Sequence, residues 1–557
     1  MKKQYLLSLI IGFCAITASA QLRYVDPIYS NADIEVVSNV KFATNIDFLT
    51  SKLTNPAKIG ADIVALKTAV AMSQQIPATY YNPADTNSVV KVTDLKMDIY
   101  KPNASVDTKT DRPVIIFIHT GNFLPPPING SPNGIKTDSS GIVLCTEWAK
   151  RGYVAVSVDY RLGWNPLAAS VEERRGQLLN AVYRAIHDVK VAVRTLKTNS
   201  EVYGIDTGKV VLYGEGTGAY IALAYETLDK NSEMELTKFR AGGVGPSYIN
   251  RANVGEIDGS GGTFNLYGKS TVSDKIAAVV TAGGALADTS WLEAGDAPMI
   301  AFHCVRDPFA PFNEGTVIVP TTNEDVVDVQ GANLYIQKAN AVGNNDIIKD
   351  IKANDPYTAA AEANYGKTVG YIYDAPDDKV TINSSVKGLF PVLLPIAATL
   401  LNNQSSPWQW WDPSSPLATA DVSGGAGFTA HMNSLQSNPD MSPTKGRTYV
   451  DTIMGYACPR IALITGDIAL SQLSVNEVLS ASIANVYPNP ASNNVTISVD
   501  AKYSVKSIKL FDVTGREVLF TEAGNNVTLS LETLQAGYYF VNVYTTEGVA
   551  SSKLIKE

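Results

Sequence analysis

The chain is 557 residues long, 45% hydrophobic and 18% charged, with a formal charge of -9 and a pI near 5.2. That length exceeds one ordinary domain, so one large domain with appendages is expected. The net acidity, without any dense run of lysine and arginine, excludes a protein that tracks nucleic-acid phosphates.

The chain opens on MKKQYLLSLIIGFCAITASA, which joins two lysines to an apolar stretch from Tyr5 to Cys14 and ends in Ala18-Ser19-Ala20. This is the pattern of a secretory signal peptide over residues 1–20, cut before Gln21. Phe13 ahead of Cys14 does not suit lipoprotein cleavage, so no lipid anchor is expected. Cleavage leaves Cys145, Cys304 and Cys458, an odd number without metal-type spacing, and buried apolar packing is their expected role. The four histidines are scattered and no C-x-x-C or H-x-x-x-H occurs, so neither a metal nor a cofactor is expected. No later run is long and apolar enough to span a membrane.

From Met97 to about Leu223, short β-rich runs alternate with helical stretches: VIIFIH, VLCTEWAKRG, YVAVSVDY, GQLLNAVYRAIHDVKVAVRTL and VVLYG. Such alternation predicts a parallel sheet covered by helices, extended by KIAAVVTAGG and APMIAFHC. Residues 308–430 are irregular and too long for a simple loop, and they are expected to form an inserted lid, partly helical around DPYTAAAEANYG and LFPVLLPIAATLL. Within it, PWQWWDPSSP offers Trp408, Trp410 and Trp411 either as lining for a substrate groove or as packing. Residues 468–484 read as a linker. Residues 485–557 alternate strands with turns at Pro488-Asn489-Pro490, Gly515 and Asn525-Asn526, which predicts a small all-β sandwich.

The tail stretches VYPNPASNNVTISV, SIKLFDVTGREVLF and LQAGYYFVNVYTTEGVASSKLIKE resemble, in order, the three motif blocks of the type IX secretion C-terminal sorting domain. The resemblance rests on Pro488-Asn489-Pro490, Gly515-Arg516, Gly537-Tyr538 and Lys553-Leu554-Ile555-Lys556. It implies the type IX machinery as a partner and a secreted or cell-surface location.

The region from about Leu95 to Arg460, within a domain expected to span residues 21–467, resembles the α/β-hydrolase fold in its carboxylesterase and lipase branch, a mostly parallel central sheet with an inserted lid. LKMDIYKP is similar to the strand that opens the esterase core, IFIHTGNF to the oxyanion loop H-G-G-G-F, and VDYRLG to the strand and turn after it. VVLYGEGTGAY stands where G-x-S-x-G belongs. That chemistry needs a hydroxyl on a sharp strand-to-helix turn, and Gly216 holds the place instead. The resemblance implies Asp307, in APMIAFHCVRDPFAPF, as the acid and His431, in GFTAHMNS, as the base. His119, His187 and His303 fall on the oxyanion loop, the preceding helix and the strand before the acid. Gly121, Asn122 and the Thr217 N–H are the implied oxyanion donors, with Thr120 and Asn122 replacing two glycines. Thr217 is also the nearest hydroxyl to the missing nucleophile, and Glu215 matches the G-E-S form of esterases.

Two functions follow from this reading. One is a secreted hydrolase acting on small or polymeric esters through Thr217 or a water activated by His431. The other is a non-catalytic descendant that binds a ligand or partner in the old pocket. Nucleotide binding is disfavoured, because GEGTG lacks the G-x-G-x-x-G fingerprint. Convergence of His431 and Asp307 on Gly216 would separate the first two.

Overall fold

A computed structural model describes residues 21–318, 324–351, 355–372, 375–396, 403–473, 477–512, 517–522, 524–545 and 548–557. The expected signal peptide and the tail motif residues Gly515 and Arg516 lie outside them. The chain divides into two compact units between Ile468 and Ala469.

The first unit is built on an eight-stranded sheet. Its strands are β1 (Ile34–Asp47), β2 (Lys91–Pro102), β3 (Arg112–Ile118), β4 (Val154–Val158), β5 (Ile205–Glu215), β6 (Ala278–Ala282), β7 (Met299–Cys304) and, after two hairpins, β12 (Leu389–Val392). Their order is β1-β2-β4-β3-β5-β6-β7-β12. β1, β2 and β4 pair antiparallel in turn, and every pairing from β4 to β12 is parallel. β3, β4, β6 and β7 are buried along their whole length, as strands covered by helices on both faces must be.

The longest helix, Val171–Thr198, packs behind the sheet and begins at Ser170, whose side chain accepts the Glu173 N–H, with Glu172 and Glu173 in its first turn. On the opposite side Trp148 meets Tyr213 edge-on at 5.0 Å, and Tyr213 stacks with Phe117 at 5.9 Å. Cys145, Cys304 and Cys458 are all buried and free.

The stretch expected as a lid is in part sheet. It contains the hairpins β8–β9 (Glu314–Ile318, Asp325–Gln330) and β10–β11 (Thr368–Ile372, Ala375–Thr381), a helix Ala332–Ala341, and β12. β12 lies parallel to β7 with Leu389 opposite Ala301 and Val392 opposite Cys304. Proline is tolerated only on a sheet edge, and Pro391 sits on the edge strand, so LFPV, expected as part of a helix, supplies the last strand.

The second unit is a small β-sandwich. Its strands β13 (Glu477–Leu479), β16 (Val505–Asp512), β17 (Glu517–Glu522), β19 (Gly537–Thr545) and β20 (Gly548–Lys556) form one sheet. β14 (Ala484–Tyr487), β15 (Asn494–Val499) and β18 (Asn526–Ser530) form the other. Alternate residues such as Val495, Ile497, Ile508, Leu510, Val541 and Val543 are buried in one core. The expected linker contributes β13, which pairs with β20.

Candidate active site

β5 ends at Glu215, the chain turns at Gly216, and a helix starts at once over Thr217–Thr227. The flanking glycines are required by close approach. A Cβ on Gly214 would stand 2.3 Å from the Gly218 carbonyl oxygen, and one on Gly218 would stand 2.1 Å from the Ile118 carbonyl oxygen. Gly216 itself has φ +54° and ψ −116°, which glycine adopts freely and which would strain any residue with a side chain. Its N–H continues the sheet to the Ala282 carbonyl at 2.9 Å. The elbow is therefore complete in its backbone and lacks only a side chain.

A side chain there would have to displace Thr120. A Cβ built on Gly216 would lie 2.3 Å from Thr120 Oγ1 and 3.0 Å from Thr120 Cβ. The oxyanion loop thus sends its own hydroxyl into the volume where a serine would begin. Thr217 gives no substitute, because its Oγ1 is buried beneath the turn beside Tyr160.

The loop that carries Thr120 is held from below. His119 is buried, stacked on Tyr160 at 4.4 Å, and its Nδ1 lies 2.6 Å from the Thr120 carbonyl oxygen. Burial lowers the His119 pKa to about 4, so the ring is a neutral donor to that carbonyl and no base. Tyr160 Oη stands 2.9 Å from the His119 carbonyl oxygen and 3.2 Å from that of Thr120. Gly121, Asn122 and Phe123 then run at φ +125°, +53° and +56°. Among the described residues, the N–H groups of Gly121, Asn122 and Thr217, the expected oxyanion donors, meet no acceptor.

Asp307 and His431, expected as acid and base, each make hydrogen bonds to other groups. Asp307 follows β7, and its Oδ1 accepts the backbone N–H groups of Phe309 at 2.8 Å and Ala310 at 3.1 Å, which makes it a cap for its own loop. Burial raises its pKa to about 6. His431 lies in the short helix Ala430–Ser434, tied to the oxyanion-loop side by Asn433 Nδ2 on the Gly130 carbonyl at 2.8 Å. Its Nδ1 accepts the Trp411 indole N–H at 3.1 Å. No hydrogen bond joins Asp307 to His431 among the described residues.

That indole contact decides the tautomer. An Nδ1 that accepts a proton donor leaves the proton of the neutral ring on Nε2, whereas a triad base carries it on Nδ1, facing the acid, and keeps Nε2 free. His431 is arranged the opposite way.

Comparison with known proteins agrees with this frame. Residues 97–319 match a family described as BD-FAE, and residues 485–557 match the secretion system C-terminal sorting domain. The fold is that of an α/β-hydrolase. A 125-residue stretch is 30% identical to the Neuroligin-like protein glit-1 of Caenorhabditis elegans; it covers 22% of this chain and only 15% of that protein. Solved structures of Thermogutta terrifontis esterase 2 also resemble the chain. The form phosphonylated by cyclosarin is 22% identical with a TM-score of 0.26, covering 40% of this chain and 69% of the esterase. The apo form is 21% identical with a TM-score of 0.26, covering 40% and 70%. The esterase-like assignment rests on the BD-FAE match, and the sorting domain sends the protein out through type IX secretion, to the medium or the cell surface. Among the described residues, no helix is long and apolar enough to cross a membrane.

Around the elbow of this α/β-hydrolase domain the tryptophans are packing groups. Trp408, Trp410 and Trp411 are 1%, 6% and 5% exposed, so they do not line an open groove. Trp410 lies so close to Gly446 that a Cβ there would stand 2.1 Å from its ring. The same segment reaches the elbow from below, where Gln409 Nε2 donates to Glu215.

Glu215 and the nearby Asp138 are both buried. Burial raises the Glu215 pKa to about 7 and carries Asp138 well above the usual range, with the Glu215 charge adding to the latter. A carboxyl whose folded pKa is raised binds its proton more tightly when folded. Its contribution is therefore favourable at low pH and is lost as pH rises through about 7. Glu215→Gln retains an acceptor for Gln409 and removes the charge. It is expected to stabilise the protein at pH 8 by about 2 kcal/mol and to have little effect at pH 5, measured by urea midpoints. Equal effects at both pH values would show that Glu215 is not held protonated in the fold.

Proposed function

We propose that this exported protein is a catalytically silent α/β-hydrolase-fold binder, which uses its elbow cleft to hold an ester or other carbonyl ligand without turning it over. The observation that carries the reading is Thr120 Oγ1, 2.3 Å from the Cβ that a nucleophile at position 216 would need. Two further features support it. His431 presents the wrong tautomer for a base, and Asp307, which commits Oδ1 to its own loop, makes no hydrogen bond to it among the described residues. A water activated by His431 is disfavoured for the same reason, since Nε2 carries a proton where a lone pair is required. The free N–H groups of Gly121, Asn122 and Thr217 support retention of a carbonyl oxygen.

The test is hydrolysis of p-nitrophenyl acetate and butyrate by the mature chain, with His431→Ala and Thr217→Val in parallel. Wild type and both variants are expected to turn over no faster than free imidazole at equal histidine concentration. Wild-type turnover that falls a hundredfold in either variant would identify a working nucleophile or base and end this reading.

A further inference from the structure

We propose that a second site, a groove beside the edge strand β1, binds a neutral oligosaccharide. The groove has a volume of about 900 Å³ and is open to solvent. Its walls come from β1, the end of the helix Pro56–Ala71, the long helix and residues 266–272, and it shares no residue with the elbow, the oxyanion loop, Asp307 or His431. It is of the size that holds ligands in other proteins.

The charges in it cancel locally. Lys41 Nζ lies 2.7 Å from Asp94 Oδ1, which also accepts Thr44 Oγ1 at 2.6 Å and the Tyr81 hydroxyl at 3.2 Å. Arg194 bonds to Asp274 at 2.6 Å and to the Asp258 carbonyl at 2.8 Å. These are the three charged side chains of the lining, and each has its counter-charge in place. A phosphate, an anionic sugar or a basic peptide would find no unmatched charge to pair with.

What remains free is of another kind. Tyr81, 38% exposed, offers aromatic surface, and the half-buried Phe42 and Tyr267 line the wall beside it. Gln74 and Gln75 are exposed, and their side-chain amides make no hydrogen bond among the described residues. Each amide is at once a donor and an acceptor, which matches a hydroxyl that is also both. Aromatic faces for C–H surfaces beside amides for hydroxyls suit a sugar ring, and the open ends let a chain run through. This inference does not depend on whether the elbow is silent.

Calorimetric titration of the mature chain with xylohexaose, cellohexaose, mannohexaose and maltohexaose tests it, with trigalacturonate as the charged comparison. At least one neutral hexasaccharide is expected to bind, with affinity reduced about tenfold in Tyr81→Ala and retained in Tyr81→Phe. The pair Gln74→Ala and Gln75→Ala is expected to weaken it about fivefold. All these positions are exposed, so the fold is kept, and Thr120→Gly is expected to leave binding unchanged. Failure of all four neutral hexasaccharides to bind, equal binding of trigalacturonate, or unchanged affinity in both Tyr81→Ala and the glutamine pair would overturn the site. A drop in Thr120→Gly alone would place the sugar in the elbow cleft instead.

Discussion

Restoring the serine alone, as Gly216→Ser, is expected to destabilise the protein by roughly 3 kcal/mol and to yield no esterase activity. Two costs combine. Any side chain at φ +54° is strained, and this one would also overlap Thr120 Oγ1 at 2.3 Å. Thr120→Gly alone should change stability by under about 1 kcal/mol, because it removes a hydroxyl that makes no hydrogen bond among the described residues. In the double variant the clash is gone, so most of the loss should return, leaving a coupling energy of about 2 kcal/mol in the cycle. The double variant should also be labelled by a fluorophosphonate, slowly, because the oxyanion N–H groups persist while the base remains in the wrong tautomer. Adding Trp411→Phe removes the donor on His431 Nδ1 and should raise labelling at least tenfold. If Gly216→Ser alone folds as well as wild type and hydrolyses esters, Thr120 does not fill the nucleophile space and the cleft is only one residue from activity.

Much of the frame was legible because local chemistry dictated it. Gly214 and Gly218 read as elbow glycines since only glycine survives such contacts, and the buried runs of β3, β4, β6 and β7 could be nothing but interior strands. Missing hydroxyl and altered oxyanion loop were both visible as letters. Their connection was not, because Thr120 and Gly216 stand ninety-six positions apart (216 − 120) and meet only once β3 and β5 lie side by side. Likewise, a histidine after the acid in the chain suggests a base, but a tautomer is set by a neighbour, and Trp411 is read from sequence as groove or core with equal ease. β12 was hidden by Pro391, which breaks the strand pattern yet is harmless on an edge.

Asp188→Ala is expected to cost about 3–5 kcal/mol, the largest stability loss of any single substitution considered for this protein. Arg161 and Asp188 are both fully buried, with Arg161 Nε 2.9 Å and 3.0 Å from the two carboxylate oxygens. Asp188 also accepts the Arg161 backbone N–H at 2.7 Å and the Tyr267 hydroxyl at 2.7 Å. Nearby Arg184 is buried as well, and burial together with the Arg161 charge lowers its pKa to about 9. Asp188 is thus the counter-charge for two buried cations, and its removal strands both. The pair ties the turn after β4 to the long helix, directly behind Tyr160 and the loop that carries Thr120. Loss of Asp188 should therefore also release the loop that carries Thr120, and hydrogen exchange at Leu124 and Gly163, whose N–H groups bond to the Gly121 and Phe123 carbonyls, should rise well before global unfolding. Arg161→Met with Asp188→Leu removes both charges and is expected to recover more than half of the loss in urea midpoint, although Arg184 still lacks its partner. Equal destabilisation by Asp188→Ala and the double variant would show that the packing of these side chains, and not the charge left behind, sets the cost.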